Sequence, residues 1–203
     1  MATFAETLRE QRWDDHRFYH HSRINQSLHF VSAISFLVAY VLLLIDPPIA
    51  ALVAWIVGMC TRQSGHFFFE PRGYDHVNGV THEHKEEVKV GYNLFRKVIL
   101  MAIWAFLPLL ILLDPTIMGL MPPYEGWMGF ARRVGMVWLA LGVAGVLFRM
   151  LQLVFLQGIQ ASLVWGTKII TDPFHDIKLY HKAPLALLRG ELIDPSIAQH
   201  RAP

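Results

Sequence analysis

Four apolar runs, almost free of charge, constrain the fold of this chain more than any other feature. Each run is shorter than the roughly 20 residues that cross a bilayer core, but its semi-polar flanks bring it to that length. None has the single apolar stripe of a helix at a protein surface. Hydrophobic residues make up 54% of the 203 residues, above the roughly 45–50% typical of soluble domains. We therefore predict an all-α, multi-pass transmembrane helical bundle of about four spans, rather than a soluble bundle. The runs are residues 30–45, 49–60, 98–113 and 134–148.

The basic residues predict the orientation of this bundle. They gather before the first run, in the link 71–97 and in the tail, whereas the links 46–48 and 114–130 have none. Lys and Arg favour the cytoplasmic side of a membrane, so both termini and the 71–97 link are predicted to be cytoplasmic. Arg132 and Arg133 run against this assignment but are outnumbered. The net charge of +2 is too small to indicate a nucleic-acid partner, and the oligomeric state is left open.

The predicted chain is a single membrane domain over residues 1–203. It divides into a cytoplasmic N-terminal segment (1–27), a helical bundle (28–170) and a cytoplasmic tail (171–203). The three-residue link after the first run makes the first two spans antiparallel neighbours. In the tail, Pro173 is predicted to interrupt any helix.

The histidines show the pattern that bears most directly on function. All eleven lie toward the predicted cytoplasmic end of the bundle. Polar residues collect outside membranes in any case, which accounts for the histidines far from the apolar runs. It does not account for His29, His66 and Glu70, which adjoin strongly apolar sequence. Ionisable groups in such places are costly, and they usually pair with one another or line a cavity.

Helical spacing brings several of these groups to one face. His21 and His29 are eight residues apart, and His66 and Glu70 are four apart, so each pair shares a helical face. Two antiparallel helices can therefore present all four to a common point. Nitrogen and carboxylate ligands with open positions suit iron, manganese or zinc, and two His with one carboxylate are typical of non-haem Fe(II) oxygenases. The sequence thus predicts a metal site at the inner rim of the bundle.

Three polar neighbours are predicted to serve the catalytic machinery by orienting these ligands, because metal-bound His normally needs hydrogen-bond partners. They are Asn25, Arg62 and Gln63.

Other candidates have two interpretations each. His82 and His84 form part of a second ligand set, or merely begin a charged helix. His175 folds back as a further ligand, or is a surface residue. Arg149 binds a substrate carboxylate, or extends to the membrane interface.

The segments "HHSRINQSLHF" and "RQSGHFFFEPRG" together resemble the membrane-embedded 2-hydroxy-fatty-acid dioxygenase family, found in the fungal endoplasmic reticulum and in bacteria. The resemblance covers roughly residues 16–73. It implies an iron-dependent activity that shortens a 2-hydroxy fatty acid by one carbon using O2, with the motif histidines essential. The matching positions are Asn25, His29, Gln63, His66 and Glu70, with His20 or His21 as the upstream histidine.

The leading interpretation is a non-haem iron dioxygenase in the membrane that acts on a lipid or fatty-acyl substrate, with Fe(II) as cofactor. The first alternative is a di-iron hydroxylase or desaturase-like enzyme with a second metal ion. Three more remain open: a zinc-dependent hydrolase of lipid amides or esters, a haem-binding electron carrier using His29 and His66, and a structural membrane module.

Overall fold

The structure is a computed structural model that describes residues 2–70, 73–88 and 94–195. Within these residues the backbone is helical and the β pairing is limited to two isolated bridges, so the all-α prediction is confirmed. The α-helices, in chain order, are α1 (Phe4–Tyr19), α2 (Arg23–Leu43), α3 (Pro47–Leu52), α4 (Cys60–Phe69), α5 (His82–Val88), α6 (Leu94–Leu113), α7 (Gly126–Gln157), α8 (Ile159–Tyr180) and α9 (Ala183–Leu188).

Local sequence signals set the starts of the first helices. Thr3 and Glu6 form a capping box at α1, in which each side chain accepts a hydrogen bond from the other's backbone N–H. Ser22 caps α2 by accepting from the N–H of Ile24. Such caps satisfy N–H groups that a helix start would otherwise leave without a partner. The cap at Ser22 separates α2 from α1, which ends at Tyr19.

The second apolar run is helical without a break. A π-helical segment, Val53–Met59, joins α3 to α4, and the backbone keeps right-handed helical angles at both junctions. Asp46 caps the start of α3, because its carboxylate accepts from the N–H of Ile49. Short π-helical stretches are rare in proteins, but those that do occur frequently lie at functional sites. This one lies directly before the helix that carries His66.

The bundle is arranged around α2. One side of α2 packs on α3, the π-helical segment and α4, and it also contacts α8 and α9. Helix α7 packs on α3 and α8, and α6 packs on α7. The start of α2, the end of α4 and the end of α8 therefore meet in one region.

Among the described residues, two helices are long and apolar enough to cross a membrane, Arg23–Leu43 and Gly126–Gln157. The buried core helix of a soluble protein can pass the same test, but only 11% of the most apolar window of Gly126–Gln157 is buried. Its outer face exposes large side chains such as Leu147 and Phe155. Extended apolar exposure of this kind indicates contact with lipid or with a partner. The third run lies in α6, whose apolar part, Lys97–Leu113, is shorter than these two helices. A count of four spans and the cytoplasmic orientation stay predictions.

Arg132 and Arg133, which ran against the predicted orientation, tie together the links at the end of the bundle opposite His66. Arg132 donates to the carboxylate of Asp46 at 2.7 Å. Arg133 donates to the carbonyl oxygens of Pro115 and Pro122. These two cations therefore have local structural partners.

The tail differs from its prediction. Helix α8 runs from Ile159 to Tyr180 and continues through Pro173, so the expected interruption is wrong and the helix crosses the predicted boundary at residue 171. A proline frees carbonyl groups in the preceding turn. The carbonyl that loses its helical donor is that of Ile169, four residues before Pro173. The hydroxyl of Tyr40 donates to the next carbonyl, that of Ile170, at 2.9 Å. The last predicted tail residues, 196–203, lie outside the described residues.

Candidate metal centre

Three histidine rings meet where α2, α4 and the loop before α2 come together. The centroids of His20 and His29 are 4.1 Å apart, those of His29 and His66 are 4.9 Å apart, and those of His20 and His66 are 5.5 Å apart. One ring nitrogen from each lies within 4.8 Å of the others. All three residues are buried. Among the described residues, this is the one group of three or more metal-ligating side chains.

The break between α1 and α2 brings His20 into this group. The backbone of His20 is not helical (φ −114°, ψ 45°), because α1 ends at Tyr19. Two amides of the first turn of α2 hold the loop. Asn25 donates to the carbonyl of Tyr19 and Gln26 donates to the carbonyl of His20, both at 2.8 Å. Both amides are fully buried.

The chain that follows the last short helix braces the same loop. Asp194 accepts from Gln26 at 2.7 Å and from Arg23 at 2.9 Å. The backbone N–H of Asp194 donates to the carbonyl of His21 at 2.9 Å, and Ser22 and Ile193 form an isolated β-bridge. The loop that carries His20 is thus held from both sides.

Gly65 allows α2 and α4 to approach closely at the site. A Cβ atom at Gly65 would lie 2.1 Å from the Asn25 side-chain oxygen and 3.4 Å from the His29 ring. Only a residue without a side chain fits this contact. The glycine before His66 therefore sets the distance between the two helices that carry His29 and His66.

Each histidine has an oxygen atom near its Nδ1 nitrogen. The Nδ1 of His66 lies 2.8 Å from Oε2 of Glu70, and that of His20 lies 2.8 Å from the hydroxyl of Tyr180. The Nδ1 of His29 lies 3.7 Å from Oδ2 of Asp176, which is an ion-pair distance rather than a hydrogen bond. The other ring nitrogen is then available in each case. The Nε2 atoms of His20 and His29 are buried without a hydrogen-bond partner among the described residues.

Charged side chains from three helices surround Asp176. Arg62 donates to its carboxylate at 2.8 Å. Burial alone would raise the pKa of Asp176, but the Arg62 guanidinium outweighs it and the pKa falls to about 2. The neighbouring Asp172 pairs with Arg12 at 3.2 Å and with Lys168 at 3.1 Å. Asp176 is therefore an anion at neutral pH, held in place by a network that ties α8 to α1 and α4.

A small cavity of about 10 Å³ borders His20, one of the three clustered histidines. Its size is close to the minimum for one water molecule. His20, Arg62, Asp176, Tyr180 and His175 are among the residues that line it. This places the predicted residue His175 beside the site but outside the group of three ligands.

The structure separates two further predicted ligands from the group. His21, which the helical spacing favoured, lies outside it. Its Nε2 contacts the carbonyl of Arg17 and is 3.5 Å from Asp75. The group contains His20 instead, and the physical reason is that the helix assumed to run through residue 21 begins only at Arg23. Glu70 contacts a ligand ring rather than belonging to the group.

The weaker candidates do not join the site. His82 is half-buried and His84 is exposed on α5, and neither belongs to the group of ligands. Arg149 is buried on α7, where it donates to Gln152 at 2.6 Å, and it is not among the residues that line the cavity.

Of the three predicted partners, Asn25 and Arg62 lie at the site, and Gln63 lies on α4 three residues before His66. Asn25 holds the loop, Arg62 pairs with Asp176, and Gln63 is buried with its Oε1 atom unpartnered among the described residues.

Sequence reasoning missed Asp176 and Tyr180. A signal for them exists, since Asp172, Asp176 and Tyr180 recur at four-residue intervals, as Arg62, His66 and Glu70 do. The prolines of the tail concealed it, because a helix was not expected to continue through residue 173.

The donor set fits a divalent metal ion. Burial holds the pKa of His20 well below its usual 6.5, so the ring is neutral and its free nitrogen can bind a cation. Two buried Nε2 atoms, of His20 and His29, lack any protein partner among the described residues, and a metal would satisfy both. Neutral imidazoles with oxygen partners on the opposite nitrogen are the usual form of metal-binding histidine.

Fold and site together define a helical protein with exposed apolar helices and a buried three-histidine centre at one end. Residues 6–73 match the family model described as 2-hydroxy-palmitic acid dioxygenase Mpo1-like. This segment, about a third of the chain, is similar to that family, and the resemblance inferred from the sequence is confirmed. It contains His20, His29 and His66, whereas Asp176, Tyr180 and Asp194 lie outside it. No curated protein and no solved structure matches the chain.

Proposed function

We propose that this protein is a membrane-embedded, iron-dependent dioxygenase that shortens a 2-hydroxy fatty acid by one carbon with O2. The observation that carries the proposal is the buried group of His20, His29 and His66, inside the segment that matches the dioxygenase family. Three protein ligands leave coordination positions open for substrate and oxygen.

Each residue at the site is proposed to have the role that its position supports. His20, His29 and His66 would hold Fe(II) through their free nitrogens. Iron, when bound, would supply the redox chemistry with O2. Glu70, Asp176 and Tyr180 would keep the rings in orientation.

The surroundings support an amphipathic substrate. The polar headgroup would approach through the cavity bounded by Arg62 and Tyr180, while the acyl chain stays against the exposed apolar helices. At about 10 Å³ the cavity must widen to admit a carboxylate. By the charge distribution, this end of the bundle would face the cytoplasm.

A zinc-dependent lipid hydrolase is the second candidate, because three His with an open position are also a known catalytic zinc set. A di-iron enzyme and a haem-binding electron carrier have less support. A second metal would need ligands beyond the one group found among the described residues. A haem would need space between His29 and His66, where the ring of His20 lies in contact with that of His29.

Metal analysis of the purified full-length protein tests the proposal. We expect about one iron per chain, lost in His66→Ala and kept in the control His84→Ala, whose histidine is exposed. With 2-hydroxypalmitic acid we expect O2-dependent formation of a product one carbon shorter. Activity that persists without oxygen, with zinc bound, would favour the hydrolase. A His66→Ala variant with full metal content would refute the three-histidine site.

A further inference from the structure

We propose that Tyr180 and Asp176 are positioning residues for the metal centre, which fix the rings of His20 and His29 by accepting their Nδ1 protons. The inference rests on the proposed metal site and assigns a function to α8, which lies outside the family match.

The contacts of Tyr180 assign the proton on His20. The Tyr180 hydroxyl lies 2.8 Å from Nδ1 of His20 and 3.2 Å from Nδ1 of His16. A hydroxyl has one proton to donate, so it donates to one ring and accepts from the other. A metal on Nε2 of His20 requires the proton on Nδ1, which makes Tyr180 the acceptor there and the donor to His16. Burial lowers the pKa of His16 to about 4, so the His16 ring is neutral and can accept.

Removing the Tyr180 hydroxyl removes the acceptor that favours the proton on Nδ1 of His20. Tyr180 is 2% exposed, and water does not readily replace its oxygen. Without an acceptor at Nδ1, the proton of His20 can move to Nε2, which blocks the nitrogen that would bind metal.

Asp176 has the same relation to His29. Its Oδ2 is 3.7 Å from Nδ1 of His29, and that nitrogen has no hydrogen-bond partner among the described residues. Asp176 is 5% exposed and is fixed by Arg62. A small rotation of the ring when metal binds would close the gap to a charge-assisted hydrogen bond, which favours the proton on Nδ1.

Control variants can separate the positioning role of Tyr180 and Asp176 from a contribution to the stability of the fold. Asp46, at the opposite end of the bundle, pairs with Arg132 and contacts none of the three ligand rings in the described structure. Tyr40 joins α2 to α8 through its hydroxyl and lies eleven residues after His29 in α2. Asp46→Asn and Tyr40→Phe are therefore matched controls for Asp176→Asn and Tyr180→Phe.

The experiment measures Co²⁺ binding to the full-length metal-free protein in detergent, by titration and by the visible absorption of the bound ion. Partners of metal-bound histidine typically contribute 10–100-fold to affinity. We expect Tyr180→Phe and Asp176→Asn each to weaken Co²⁺ binding by about 10–100-fold and to change its spectrum. The two controls should stay within about threefold of the parent, because they leave the imidazole partners in place.

Melting temperatures of the metal-free variants show whether a loss of binding reflects loss of fold. If Tyr180→Phe and Asp176→Asn bind Co²⁺ like their controls, or if all four variants lose binding in proportion to stability, the positioning role is overturned. A parent protein that binds Co²⁺ no better than His66→Ala would instead overturn the metal site itself, and this inference with it.

Discussion

Gly65→Ala tests whether the spacing between α2 and α4 determines the metal centre. The added Cβ would lie 2.1 Å from the Asn25 oxygen and 3.2 Å from the carbon of the same amide. Asn25 is fully buried and donates to the carbonyl of Tyr19, so it cannot turn away without losing that hydrogen bond. The helices must therefore separate by about 1.4 Å to restore a van der Waals distance of about 3.5 Å.

The change in stability of Gly65→Ala follows from two unfavourable contributions and one favourable contribution. Overpacking costs about 1–3 kcal/mol, and loss of the amide hydrogen bond costs about 1 kcal/mol. Replacing a helical glycine by alanine returns about 1 kcal/mol. The net destabilisation of about 1–3 kcal/mol corresponds to a fall in melting temperature of roughly 2–12 °C for a chain of this size.

The effect on metal should exceed the effect on stability. Metal sites tolerate ligand displacements of about 0.2 Å, well below the required separation of the helices. We expect Gly65→Ala to lose most of its bound metal while remaining folded at 20 °C. The assays are thermal unfolding by circular dichroism in detergent and metal content of the purified protein.

Gly145→Ala is the matched control, because a Cβ at Gly145 meets nothing within 4 Å. It should be as stable as the parent or slightly more so, with full metal content. Equal metal content and equal melting temperature in the two variants would refute the argument from close helix contact.

Helix packing, a buried imidazole and the metal itself each give one further prediction. Gly135→Ala should destabilise the protein by about 1–3 kcal/mol, since its Cβ would lie 2.3 Å from the carbonyl oxygen of Pro48. The metal content should not change. A variant as stable as the parent would contradict the close packing of α7 on α3. Burial lowers the pKa of His16 to about 4. The unfolded chain thus binds this proton near pH 6.5 and the folded chain only near pH 4, so stability should fall as the pH drops through that window, by up to about 3 kcal/mol. His16→Gln should show a weaker decline between pH 7 and pH 4.5 in melting-temperature scans, and an unchanged decline would count against this origin. Removal of metal with a chelator should lower the melting temperature. At a metal concentration 100-fold above Kd, the bound metal adds about 2.7 kcal/mol to the free energy of unfolding. The His66→Ala variant should show no such fall.

The sequence predicts the helical class, and it predicts two of the three clustered histidines, because both signals are local. An ionisable residue beside an apolar run is conspicuous, and this singled out His29 and His66. Helical spacing also singled out Asn25 and Arg62, and the structure places Asn25 against Gly65 and Arg62 against Asp176; their roles stay predictions. These features depend on neighbours within a few turns of one helix.

The choice between His20 and His21 depended on where a helix begins. Periodicity gives the face of a residue only while the helix is continuous, and Ser22 restarts it. Asp176 and Tyr180 depend on how α8 crosses α2, which is a packing property of distant segments. Local spacing contains no information on that crossing.

The brace formed by Asp194 has a consequence for biogenesis. The three histidines are synthesised early, whereas Asp194, which braces the loop of His20, is synthesised near the end of this chain. A nascent polypeptide that has only formed its first helices therefore lacks this brace. We expect a metal ion to be captured only after synthesis has passed Asp194, so that a truncated translation product holds no reactive ion.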